Sequence, residues 1–110
     1  MYRLMLIATA SLLAAEAGAQ SARDFPARPV RIIVPQAAGS GVDLTARVVA
    51  QKLTDAWGQQ FIVDNRPGAN GIIGADLVAK AQPDGHTLLV TSSSFGINPA
   101  IYRKLPYDTL

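Results

Sequence analysis

Three short stretches hold the residues best suited to chemistry: Gln36 to Gly41 (QAAGSG), Pro67 to Gly71 (PGANG) and Thr91 to Gly96 (TSSSFG). Each is rich in small residues and lies between an apolar run and a helical pattern. Loops of this kind leave backbone N–H groups free at a helix N-terminus, where the helix dipole adds partial positive charge. They favour holding a carboxylate or phosphate by backbone amides, without an Arg or Lys side chain.

Other chemistries fail on spacing. Gly39-Ser40-Gly41 runs on to Leu44 where a dinucleotide fingerprint needs a third Gly, and no Gly-Lys-Ser/Thr is present for a phosphate loop. Ala38 stands where a nucleophile elbow around Ser40 needs its first Gly. The single His86 falls at the N-terminal end of its strand, away from the loops, and reads as a surface or turn residue. With one His and no Cys, a metal cluster needs carboxylates alone, and none are grouped for it, so no metal or cofactor is expected. Asp43 has two readings, a charge balancing the helix dipole or an acceptor for a ligand hydroxyl, amine or water. Arg66 reads as a solvated turn charge, with anion contact the second choice.

The elements that position these loops follow from pattern. PVRIIVP is a buried strand, and its consecutive β-branched residues suggest a sheet covered on both faces. A helix from about Val42 to Trp57 repeats Val42, Ala46, Val49, Leu53 and Ala56 at helical spacing, leaves Arg47 for the opposite side, and stops at Gly58. Gln60 to Asp64 is a second strand. Asn70 opens a helix to about Ala81, with Gly68, Gly71 and Gly74 along one flank as backbone-approach positions. Pro83-Asp84-Gly85 is a turn, His86 to Thr91 a third strand, and Asn98-Pro99 starts a short helix through Tyr102. The order β-α-β-α-β implies an α/β fold with a parallel sheet, whose ligands sit beyond the C-terminal ends of the strands.

Residues 1–19 read as a secretory signal peptide: Arg3, an apolar run from Leu4 to Ala15, then Ala17-Gly18-Ala19. Cleavage there removes Arg3 and Glu16 together and leaves the net charge at +2, too weak and scattered for nucleic-acid binding. The absence of Cys fits a periplasm-type compartment without disulfides. The remaining chain supports one small core, and IYRKLPYDTL ends without a closing element, so the chain reads as a fragment.

The strings FPARPVRIIVPQAAGSGVDLTAR, NRPGANGIIGA, AQPDGHTLL and INPAIYRKLPYD closely resemble the Bug family, the extracytoplasmic solute receptors of tripartite tricarboxylate transporters. The resemblance runs from about Phe25 to Asp108. It implies a two-domain periplasmic binding protein, type II-like, of which residues 20–110 are the N-terminal part of the first lobe. It implies binding of a small carboxylate and delivery to the permease subunits of the transporter. Carried over, the grip falls on Gln36, Ala37, Ala38, Gly39, Ser40, Gly41, Asp43, Asn70 and Gly71, with Thr91 and Ser92 at the end of the third strand. Two positions depart from the family pattern: Gln36 replaces a common aromatic residue, and Ser40 and Val42 replace Gly and a small hydroxyl residue. Val42 cannot cap a helix or donate from a hydroxyl, so substrate identity does not carry over. The alternatives are a truncated, non-binding remnant and, less favoured, an enzyme holding a phosphorylated or carboxylated substrate. The enzyme reading lacks a nucleophile–base pair.

Overall fold

The computed structural model describes residues 24–109; the expected signal peptide, residues 1–19, lies outside the described residues. The elements run β1 (Val30–Val34), α1 (Gly41–Trp57), β2 (Phe61–Asn65), a 3₁₀ turn (Ala69–Gly71), α2 (Ile72–Ala79), β3 (Thr87–Leu89) and α3 (Ser94–Ile101). Both strand pairings are parallel and the sheet order is β2-β1-β3. None of these helices is long and apolar enough to cross a membrane.

The first apolar run becomes the central strand because it is the one segment that can be covered on both faces. Val30, Ile32, Ile33 and Val34 are all buried, and only Arg31 reaches solvent. Val30, Ile32 and Val34 pack with Ala46, Ala50 and Phe61 on the α1 side. Strand alternation sends Ile33 to the other face. Full burial of each such side chain contributes roughly 1.5–3 kcal/mol, so this short strand anchors the core.

α1 starts at Ser40, whose Oγ accepts from the Asp43 amide at 3.3 Å, and ends at Gly58 in the left-handed conformation at φ 71°. Its buried stripe differs from the expected one. Asp43, Ala46 and Ala50 are buried and Val42 and Leu53 partly so, whereas Val49 and Ala56 face outward. Small Ala residues let the helix settle close to the sheet, which moves the contact stripe away from the bulkier Val49.

The second helical segment is also reorganised. Ala69 and Asn70 adopt positive φ, at 50° and 55°, so a 3₁₀ turn precedes α2 and Asn70 does not open the α-helix itself. Gly68 and Gly71 therefore belong to the turn, and only Gly74 lies in the helix. A Cβ on Gly74 would stand 2.6 Å from Pro35 Cβ and 3.0 Å from the Arg66 carbonyl oxygen, so glycine allows α2 to rest on the end of β1.

α3 begins a full turn ahead of Asn98-Pro99 and carries Pro99 inside it. Proline lacks the N–H that would bond back to Phe95, so the serine-rich segment and the tertiary contacts of Asn98 carry this helix instead. β2 is offset by one residue from its expected bounds, which makes Asn65 its last residue, paired with Val34. β3 is shorter than expected, although the Val90 amide still donates to Ile33 O at 3.0 Å.

At the opposite, N-terminal end of the strands, Phe25 packs edge-on against His86 and Trp57, with Trp57 against Phe61. His86 is buried here, not exposed as the sequence suggested, because the turn before β3 folds it beneath Phe25. Its Nδ1 lies 3.4 Å from Asp84 Oδ1, and neither ring nitrogen makes a hydrogen bond.

Candidate functional site

Parallel pairing puts the C-terminal ends of all three strands on one edge, and the three small-residue loops meet there. The first loop is built around Asp43, which is 1% exposed. Its Oδ2 accepts the Gly39 amide at 2.9 Å and Arg47 Nε at 3.1 Å, and its Oδ1 accepts Asn65 Nδ2 at 2.8 Å. The Gly39 hydrogen bond, then those from Arg47 and Asn65, hold the carboxyl down at about 2, against an ordinary 3.8. Asp43 is thus ionised at neutral pH, and its donors all come from this chain. It lies in the first turn of α1, where a negative charge suits the dipole, and the chain itself supplies hydrogen bonds of the kind the second reading assigned to a ligand.

That bracket decides which loop amides are available. The Gly39 amide is taken by Asp43, and the Ser40 amide by Ala37 O at 3.2 Å. The amides of Ala37, Ala38, Gly41 and Val42 make no hydrogen bond among the described residues. Gly41 and Val42 open α1, so their N–H groups point out of its positive end.

The second and third loops are tied to the first by side chains. Gln36 Nε2 donates to Ser92 Oγ at 3.2 Å, and Ser92 Oγ lies 2.9 Å from Ser94 Oγ. Gln36 Oε1 is buried without a partner. Gly71, at φ 86°, sits between Pro35 and Ser94, each 3.6–3.7 Å from where a Cβ would be. Asn70 Nδ2 donates to Asn98 Oδ1 at 2.8 Å, and Asn98 Nδ2 returns a bond to Asn70 O at 3.0 Å. Thr91 is half-buried at the end of this chain of contacts.

The structure therefore gathers Gln36, Gly39, Ser40, Gly41, Asp43, Asn70, Gly71 and Ser92 at one edge. It also adds Arg47, Asn65, Ser94 and Asn98, which sequence reasoning did not select. The Asp43–Arg47 spacing of four was a usable signal for an ion pair on one helix face. Nothing in the local pattern marked Asn65 or Asn98. Arg66 stays outside: it pairs with Asp64, which also binds Arg31, and these hydrogen bonds, Arg31's first, hold Asp64 below its ordinary value. His86 lies at the far end of the sheet. Among the described residues no group of three His, Cys, Asp or Glu gathers as a metal site.

Two of the cavities among the described residues lie away from these loops. One of about 210 Å³ lies between α1 and β2, lined by Arg47, Gln51, Thr54 and Phe61 among others. The other, about 310 Å³, lies beyond α3 against Tyr102, Arg103 and Tyr107. The loop edge itself is a floor of amides and hydroxyls.

Solved proteins share this fold. The fold matches the periplasmic binding protein BugD with a TM-score of 0.73 and 39% identity, over 77% of this chain and 28% of that one. It matches the R. palustris protein Rpa4515 with adipate at 0.74 and 38%, over 78% and 29%. MatC from Rhodopseudomonas palustris, with bound malate, matches at 0.70 and 36%, over 77% and 29%. The class is therefore the periplasmic binding protein fold, of which this chain carries a part.

Residues 45–110 match the model of the tripartite tricarboxylate transporter family receptor, and the chain belongs to that family. Relatives include a UPF0065 protein of Bordetella bronchiseptica, 48% identical over 96% of this chain. BugT of Bordetella pertussis is 43% identical, again over 96%. The chain spans 32% of the length of each.

Proposed function

We propose that this chain forms one jaw of an extracytoplasmic receptor that binds a small carboxylate and delivers it to the permease subunits of a tripartite tricarboxylate transporter. In this reading residues 1–19 direct export and are cleaved, and the receptor works in the periplasm. The observation that carries it is the set of unpaired amides at Ala37, Ala38, Gly41 and Val42, fixed by the Asp43 bracket beside the Ser92–Ser94 hydroxyls. A carboxylate oxygen at the start of α1 gains roughly 0.3–1 kcal/mol from the helix end, and up to ~2 where partly buried, before its hydrogen bonds are counted. Adipate and malate in the matched proteins are ligands of this chemical kind.

Asp43 is already matched by Arg47, and Arg66 by Asp64, so the floor offers dipoles in place of a free cation. Neutral donors of this sort are expected to hold the ligand with little dependence on salt.

The test is thermal stabilisation by a panel of C4 to C6 dicarboxylates. It is run on this chain and on BugD with its matching segment replaced by this one. A ligand at a hundred times its Kd stabilises the native state by about 2.7 kcal/mol. Binding by the hybrid supports the receptor reading; a hybrid that folds and ignores every carboxylate sinks it. Binding by the hybrid but not by this chain alone would mean that the jaw needs the rest of the receptor to hold a ligand.

A further inference from the structure

We infer that Asn65 is a positioning residue that sets the geometry of the anion-holding loop without touching the ligand, a role that rests on the proposed receptor reading. Its Nδ2 reaches acceptors on two different segments, Gln36 O at 3.2 Å and Asp43 Oδ1 at 2.8 Å. Its Oδ1 accepts Arg47 Nη2 at 3.0 Å. Arg47 Nε in turn donates to Asp43 Oδ2, the same oxygen that holds the Gly39 amide. Asp43, Arg47 and Asn65 therefore close a ring of hydrogen bonds, and the loop hangs from it at Gln36 and Gly39.

With the bond to Gln36 O included, the position calls for one acceptor and two donors, which a primary amide supplies. Arg47 can only donate and ionised Asp43 can only accept, so the third member must accept from one and donate to the other. A carboxylate of the same shape would face Asp43 with like charge, and an aliphatic side chain would leave both partners unmatched. Placement matters equally. Asn65 is the last residue of β2 and is held in register with Val34, so the ring ties the loop to the sheet. The free amides of Ala37, Ala38, Gly41 and Val42 inherit their direction from that tie.

The experiment is amide hydrogen exchange and carboxyl titration by NMR on the full chain, comparing the parent with Asn65→Ala and Asn65→Asp. Both variants are expected to speed exchange of the Gly39 amide roughly ten-fold relative to the β1 amides, the scale of one lost hydrogen bond. Both should also move the Asp43 titration upward from its low parent position. A response in Asn65→Ala but not in Asn65→Asp would mean that the residue merely fills space, and would overturn the inference. An unchanged Gly39 amide in both would overturn it too. If β1 protection is lost in these variants as well, Arg47→Met decides, since it opens the ring from a half-exposed side chain. A Gly39 amide that exchanges no faster there overturns the proposal. None of these readouts needs a ligand, so a receptor that binds no carboxylate would fail separately.

Discussion

The Gly39 amide and the Asp43 carboxylate are 2.9 Å apart across the mouth of α1, so the helix clamps the loop that introduces it. One consequence is a specific acid sensitivity. The Asp43 carboxyl is held at about 2 when folded, against 3.8 ordinarily, so its contribution is complete above about pH 4 and is lost as pH falls towards 2. Asp64 and Asp84 are also lowered, the latter chiefly by the His86 amide, and their contributions fade at the acid end as well. Asp43→Asn should therefore melt below the parent at pH 7, and the gap should narrow steadily as pH falls below 4. A gap that stays constant would mean that the ionised form is not what the fold uses.

Gly74→Ala is expected to destabilise the fold by about 1–3 kcal/mol, the usual range for overpacking. The added methyl would meet Pro35 and the Arg66 carbonyl, and neither can rotate away. Urea denaturation checks this; an unchanged midpoint would show that α2 can slide along β1.

Asn98→Ala removes both halves of the reciprocal bond with Asn70 at a site that is 1% exposed. A loss of about 1–3 kcal/mol follows from leaving Asn70 without its partner. Calorimetry measures the loss, and exchange of the 3₁₀-turn amides should rise with it. Stability equal to the parent's would mean that the two asparagines find other partners.

Ser40→Ala takes away the cap of α1 and should cost about 1 kcal/mol, within the range of 0.5–2. Ser40→Gly should cost only a few tenths, because glycine tolerates the cap backbone. If Ser40→Ala melts with the parent by circular dichroism, the 3.3 Å contact to the Asp43 amide contributes nothing.

Much of the architecture was legible because it rests on local signals. Buried β1, the stop at Gly58 and the Pro83-Asp84-Gly85 turn follow from β-branching, a positive-φ glycine and proline geometry. The placement of the loops then follows from parallel order alone. The failures occur where tertiary contact outvotes local pattern. Apolar periodicity ranks Val49 above Ala50, yet the sheet takes the small residue because it permits closer approach. His86 looked solvent-facing because nothing local reveals that Phe25 folds over it. The side chains that brace the site were the least visible. Asn65 meets Asp43 from 22 residues away and Asn98 meets Asn70 from 28, and a single asparagine in sequence gives no sign of its partner.

The position of β1 in the sheet bears on how the protein assembles. The strand nearest the N-terminus is the one that must be flanked on both sides, Arg31 pairing with Ile62 and with Thr87. Neither flank can form as a hairpin, so this strongly apolar strand waits, unpaired, until distant segments arrive. A chain made from its N-terminal side exposes Val30 to Val34 before either flanking strand exists. Slow folding should therefore be felt first as aggregation through this segment.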